Sequence, residues 1–197
     1  MATRAGRNEI NTPARILDVA ERLVQQRGFN GFSYADVAKE LGITKPALHY
    51  HYAGKAELGD ALITRYAARF AQALDEIDAN VVGAPAKLDA YATLYEDVLR
   101  DKRMCLCGML AAEYQTLPKA MTKTVIRFFD DSERWLTHVL DQGRQDQTLH
   151  FAGTSTDAAR MIVGALEGAM LVARPYGDVD RFRTTSAHLL ADLTKPN

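Results

Sequence analysis

Apolar positions recur at three- and four-residue intervals along almost the whole chain, the spacing of helices that each bury one face. Ile16, Leu17, Ala20, Leu23 and Val24 form the first such stripe, over residues 12–27. Pro13 falls in the first turn, where its missing N–H costs nothing, and Gly28 ends the helix. Ser33-Tyr-Ala-Asp36 reads as a capping box, so a second helix starts there, turns Val37 and Leu41 inward and stops at Gly42. Thr44 as N-cap and Pro46 in the first turn predict a third helix with Leu48 facing the core. From Lys55 to about Asn80 a longer helix keeps Leu58, Leu62, Tyr66, Phe70 and Leu74 in register. Further helices are expected near 85–101, 104–116, 118–144, 156–174 and 179–193. Breaks fall near Arg103, at Leu117-Pro118, over 145–155 and at Pro175-Tyr-Gly177. No period-two alternation is sustained, so the expected fold class is all-α.

Composition adds little beyond a globular chain of 197 residues, 47% hydrophobic and 25% charged. No apolar run is long enough to span a bilayer, and the first residues lack the apolar stretch of a signal peptide. A cytoplasmic protein with no membrane association is therefore expected. Two cysteines, Cys105 and Cys107, stand one residue apart, a spacing unsuited to a structural disulfide. The net charge is −1, but residues 1–55 hold eight Lys/Arg against five Asp/Glu and the rest is acidic. The positive end is where a phosphate backbone would be met.

Residues 33–52, SYADVAKELGITKPALHYHY, carry the most information. Two short helices meet at a glycine turn around a small core of Val37, Ala38, Leu41, Ile43 and Leu48. Ala38 is small where the helices approach, and Gly42 tolerates positive φ. The second helix then projects Lys45, Pro46, His49 and Tyr50 away from that core, the arrangement of a DNA-reading helix-turn-helix. The His49–Tyr52 run is a poor metal site, because residues i and i+2 lie on different helix faces. No metal and no cofactor are expected.

The stretch ILDVAERLVQQRGFNGFSYADVAKELGITKPALHYHYAGKAEL, residues 16–58, resembles the TetR-type (tetracycline-repressor-like) regulators. The resemblance implies an N-terminal three-helix DNA-binding domain, 1–54, and a helical effector-binding and dimerisation domain, 55–197. It implies a homodimer on double-stranded operator DNA, with each recognition helix in a major groove. By position, Thr44, Lys45, Pro46, His49 and Tyr50 would face base edges or nearby phosphates. Ser33, Tyr34 and Lys55 would hold flanking phosphates. The family often has an aromatic where this chain has His49, a departure that bears on base preference. Arg4 and Arg7 precede the first helix and are candidates for a minor-groove arm, or simply tail charges.

Downstream the resemblance rests on helix count and length. It implies a small-molecule effector site, for which the candidates are Tyr91, Tyr95, Cys105, Met109, Glu113, Phe128 and Trp135. Each is also an ordinary core residue type. Glu113 sits among apolar neighbours and is the candidate polar anchor. Cys105 and Cys107, at i and i+2 on an expected helix, are candidates for a redox or electrophile sensor, with Arg103 lowering a thiol pKa. Buried structural cysteine is the plain alternative. Gly164, Gly168, Phe182 and Leu189 are candidates for the dimer interface. The function expected is a repressor released from its operator by an effector, with activation as the other sign of regulation. A cysteine-based sensor on the same scaffold is the first alternative, a helical adaptor with a vestigial helix-turn-helix a minor one. An all-helical enzyme is disfavoured, because no nucleophile-base set, phosphate loop or metal motif is found.

Overall fold

The computed structural model of the chain describes residues 12–195, so Arg4 and Arg7 lie outside the described residues. Among those described, nine α-helices and two short 3₁₀ segments follow one another, with no strand. They are α1 Thr12–Arg27, α2 Tyr34–Leu41, α3 Lys45–His51, α4 Lys55–Asn80, α5 Ala84–Arg100, α6 Leu106–Ala112, α7 Lys119–Gln145, α8 Ser155–Ala173 and α9 Val179–Asp192. The 3₁₀ segments are Tyr114–Thr116 and Arg174–Tyr176.

The expected helix over 104–116 is shorter than its apolar pattern suggested. α5 ends in a Schellman turn, with Lys102 N–H on the Leu99 carbonyl at 2.8 Å and Arg103 N–H on that of Val98 at 3.0 Å. Residues 103–105 are then non-helical, and α6 begins only at Leu106. Cys105 therefore precedes the helix, and the two cysteines do not share it as expected.

The chain divides into two compact units, and not at residue 54 as expected. The first holds residues up to Tyr66 together with Leu106–Val125; the second holds Ala67–Cys105 and the chain from Ile126 onward. α4 begins at the expected boundary and contributes residues to both units without a break, and a later segment returns to the first unit.

In the first unit Ile16, Val24, Val37, Leu48 and Leu58 are fully buried. Each contributes roughly 1.5–3 kcal/mol through the apolar surface it removes from water. Arg65 on α4 ties α1 in place, donating to Asp18 at 2.7 Å, Glu21 at 2.9 Å and the Ala14 carbonyl at 3.2 Å. In the second unit α9 packs on α8 and α5. Leu88, Tyr91, Ile162, Leu166, Met170 and Phe182 form part of its core.

Candidate nucleic-acid interface and buried polar core

The link between α2 and α3 sets the geometry of the exposed face. Gly42 takes φ 66°, and Ile43 N–H reaches the Ala38 carbonyl at 3.0 Å, closing a second Schellman turn. α2 is fixed at its other end by a capping box. Ser33 N–H donates to the Asp36 carboxylate at 2.7 Å, and the Ser33 hydroxyl does so at 2.6 Å. These bonds from Ser33 hold the Asp36 carboxyl below its ordinary value. Thr44 caps α3 by accepting from Ala47 N–H at 3.2 Å.

With Leu48 fully buried beneath it, α3 is anchored by one face. The structure brings Thr44, Lys45, Pro46, His49 and Tyr50 together on the exposed side, and Tyr50 is 86% exposed. His49 Nδ1 lies 3.1 Å from the Ala53 carbonyl. A carbonyl only accepts, so Nδ1 is the donor in this contact. Tyr34 packs against His49 at 4.7 Å between ring centres and donates its hydroxyl to the Tyr52 carbonyl at 3.1 Å. Burial, then the charge of Glu57, pushes its phenol up to about 12.

Lys55 and Glu113 are placed otherwise than expected. Lys55 is half-buried, its ammonium donating to the Phe32 carbonyl at 2.5 Å and lying over the Phe29 and Phe32 rings. Burial pulls its pKa down. It braces the α1–α2 loop. Glu113, expected to anchor a ligand, belongs to the first unit and accepts from the amides of Phe29 at 2.5 Å and Asn30 at 3.2 Å. Its carboxylate lies so close to Gly28, which has φ 84°, that a Cβ there would meet it at 2.7 Å. It caps a loop.

The other expected effector residues separate by unit. Met109 belongs to the first, while Tyr91, Tyr95, Cys105, Phe128 and Trp135 belong to the second. There Tyr91 and Tyr95 share a hydrogen bond of 3.0 Å, and Trp135 stacks on Tyr91 at 5.6 Å. Phe70 joins Tyr91, Tyr95 and Phe128 edge-on or tilted. Burial pushes both phenols far up. Beside them Cys105 donates its thiol to Glu167, whose carboxyl burial raises to about 7 against the opposing effect of that bond. Glu167 Oε1 is buried with no hydrogen-bond partner among the described residues. Arg103, expected to acidify a thiol, instead faces Asp101 at 3.9 Å. Cys107 is fully buried in α6 of the first unit.

Of the expected interface residues, Gly164 and Gly168 are exposed and a Cβ at either would meet nothing within 4 Å. Phe182 is 0% exposed within its own chain, so it has no surface to offer a partner; the apolar stripe of α9 that contains it faces inward. Leu189 is half-buried. On α8 the exposed apolar residues are Met161, Leu171 and Val172, which fall on the same side as the two glycines by helical spacing.

The family profile of bacterial regulatory proteins, tetR family, matches residues 16–62. A solved structure of a TetR-family transcriptional regulator from Agrobacterium tumefaciens is 30% identical, with a TM-score of 0.90 over 93% of this chain and 97% of that one. The chain belongs to the TetR family of transcriptional regulators. A TetR regulator from Legionella pneumophila is 32% identical with a TM-score of 0.82, covering 93% and 97% of the two chains. The HTH-type transcriptional repressor NemR of Escherichia coli K12 is 24% identical over 95% of this chain and 96% of its own length.

As a TetR-family regulator the chain carries its helix-turn-helix at α2–α3 and is all-helical beyond it among the described residues. No helix of this TetR-family chain, among those described, is long and apolar enough to cross a membrane. Sequence patterning placed Phe70 only in the stripe of α4, and it missed Glu167 and Ser132, which hydrogen-bonds Tyr91 and the Phe128 carbonyl, as members of the buried polar core. Glu167 had a signal: it follows Val163 by four and precedes Met170 by three, which puts it on the buried face of α8.

Proposed function

We propose that this TetR-family regulator is a cytoplasmic homodimeric repressor, not an enzyme, that binds operator DNA through α3 and is released by a small-molecule effector. One observation carries the DNA-binding part: Thr44, Lys45, Pro46, His49 and Tyr50 lie exposed on a helix whose opposite face is anchored by fully buried Leu48. Lys45 supplies charge, and Tyr50 and His49 supply contacts to base edges. Two half-sites give a dimer useful affinity where one would not. The exposed α8 stripe of Met161, Gly164, Gly168, Leu171 and Val172 supports that dimer, since glycines with open space above them admit a second helix closely. The effector reading rests on the aromatic core around Tyr91, Tyr95, Phe70 and Trp135, where Glu167 holds an unpartnered oxygen. An effector that pairs with that oxygen would favour the state in which it binds.

The test is a fluorescence-anisotropy titration against the DNA upstream of the chain's own gene, at two salt concentrations. Wild type should bind with a steep salt dependence, and Lys45→Ala/Tyr50→Ala should bind at least tenfold more weakly. Equal binding by both would contradict the assignment to α3. The cysteine-sensing alternative is separated by adding N-ethylmaleimide. Release that Cys105→Ser/Cys107→Ser abolishes would favour it, and unchanged binding would count against it. Cys105 and Cys107 are both buried, which argues for the reversible effector.

A further inference from the structure

In the second unit a cavity of about 430 Å³ lies at the end of α5 and the turn between α8 and α9. Four cations line it, Arg100, Lys102, Arg103 and Arg174, against one carboxylate, Asp178. That carboxylate is engaged elsewhere, accepting from Asp180 N–H at 3.0 Å and pairing with Arg181 at 3.5 Å. Arg100 is held by Glu96 and Asp97. Arg103 approaches Asp101 only at 3.9 Å, and its buried Nε has no hydrogen-bond partner among the described residues. Lys102 has no ion-pair partner among them. Leu99 and Val179 add apolar wall.

Basic residues near a helix C-terminus are expected to some degree, because they offset the negative end of the dipole. One or two suffice for that, and the effect fades within a turn. Lys102 and Arg103 lie beyond the last residue of α5, and Lys102 takes φ 58° at the position of its Schellman turn where glycine is preferred. A left-handed lysine costs about 1 kcal/mol more than glycine there. Four cationic side chains gathered on one cavity are put to use by one bound anion.

We propose that this cavity binds a small amphiphilic oxyanion, a carboxylate or phosphate on a short alkyl body. The head meets Arg103, Arg174 and Lys102, and the body lies against Leu99 and Val179. The volume is within the range of sites for small organic ligands, roughly 300–1,000 Å³. This site is separate from the aromatic core and goes beyond the repressor reading.

Isothermal titration of the full-length protein at constant ionic strength tests it, with octanoate and hexyl phosphate as probes and 1-octanol as the neutral control. One saturable site per chain is expected for at least one anion and none for octanol; the anion preferred identifies the head group. Arg103→Gln/Arg174→Gln should weaken binding at least about tenfold. Arg134→Gln, an exposed residue paired with Asp131, should not. If the double variant fails to fold, Lys102→Gln at its exposed position must by itself weaken binding severalfold. Equal affinity in wild type and these variants, or no saturable binding of either anion, would overturn the proposal. Binding is read directly, so a failure to bind DNA would count against the repressor reading and leave this result standing.

Discussion

Tyr50 stands 86% exposed at the end of α3, while Tyr91 is fully buried in α5, and the contrast extends to the units that hold them. In the first unit the chemistry faces water. Thr44, Lys45, His49 and Tyr50 keep polar atoms outward, and structural bonds such as Ser33–Asp36 and Glu113–Phe29 hold the scaffold behind them. In the second unit polar atoms are enclosed: two phenols, a thiol and a carboxyl share an aromatic core, and burial shifts the phenols and the carboxyl. An exposed face suits a large charged partner that brings its own counterions. An enclosed polar cluster suits a small partner that replaces water or fills an unmet hydrogen bond.

The largest effect should come from removing the support of the exposed face. Leu48→Ala should cost about 2–5 kcal/mol, read by urea unfolding, and weaken DNA binding with no change to any outward residue. Little change in either would mean that α3 is held some other way. The next tests the enclosed side. Burial raises Glu167 above its ordinary value, so the fold favours the protonated carboxyl. Its contribution is full below pH about 4.5 and is lost as pH rises through about 7. Glu167→Gln keeps the shape without the charge. It should be more stable than wild type at pH 8 by on the order of 2–3 kcal/mol, a gap that shrinks by pH 5. A difference independent of pH would show that the carboxyl is not enclosed as described.

The smallest effects separate the two Schellman turns. At Gly42 a Cβ would meet nothing within 4 Å, so Gly42→Ala carries only the left-handed backbone penalty, about 1 kcal/mol. Lys102→Gly should act in the opposite sense, by no more than about 1 kcal/mol, because it relieves that penalty while loosening the unfolded chain. Thermal unfolding of both variants checks the pair, and a loss of stability in Lys102→Gly would mean that its side chain contributes more than its backbone costs.

The same contrast explains what could be read from the sequence. The bounds of α1, both caps at Ser33 and Thr44 and the turn at Gly42 were legible because local chemistry alone decides them. So was the outward face of α3, since one buried leucine on a short helix fixes which side is out. Glu113 was misread because its partners, the amides of Phe29 and Asn30, lie more than eighty residues earlier, and no periodicity reports such a contact. Phe182 was misread for a related reason: an apolar stripe on the last helix says that a face is covered, not whether its own chain or a second copy covers it. The division into units was hidden too, because α4 contributes to both units without a break and Leu106–Val125 joins the first from far along the chain.

The most direct measurement is a selection of bound sequences from random double-stranded DNA, using the full-length wild type and Lys45→Ala/Tyr50→Ala, with thermal unfolding to show that both are folded. The account predicts that wild type enriches a two-fold palindrome with half-sites spaced by whole turns of about 10 base pairs, and that the folded double variant enriches none. A wild-type protein that selects no sequence, or a double variant that selects the same palindrome, would contradict it.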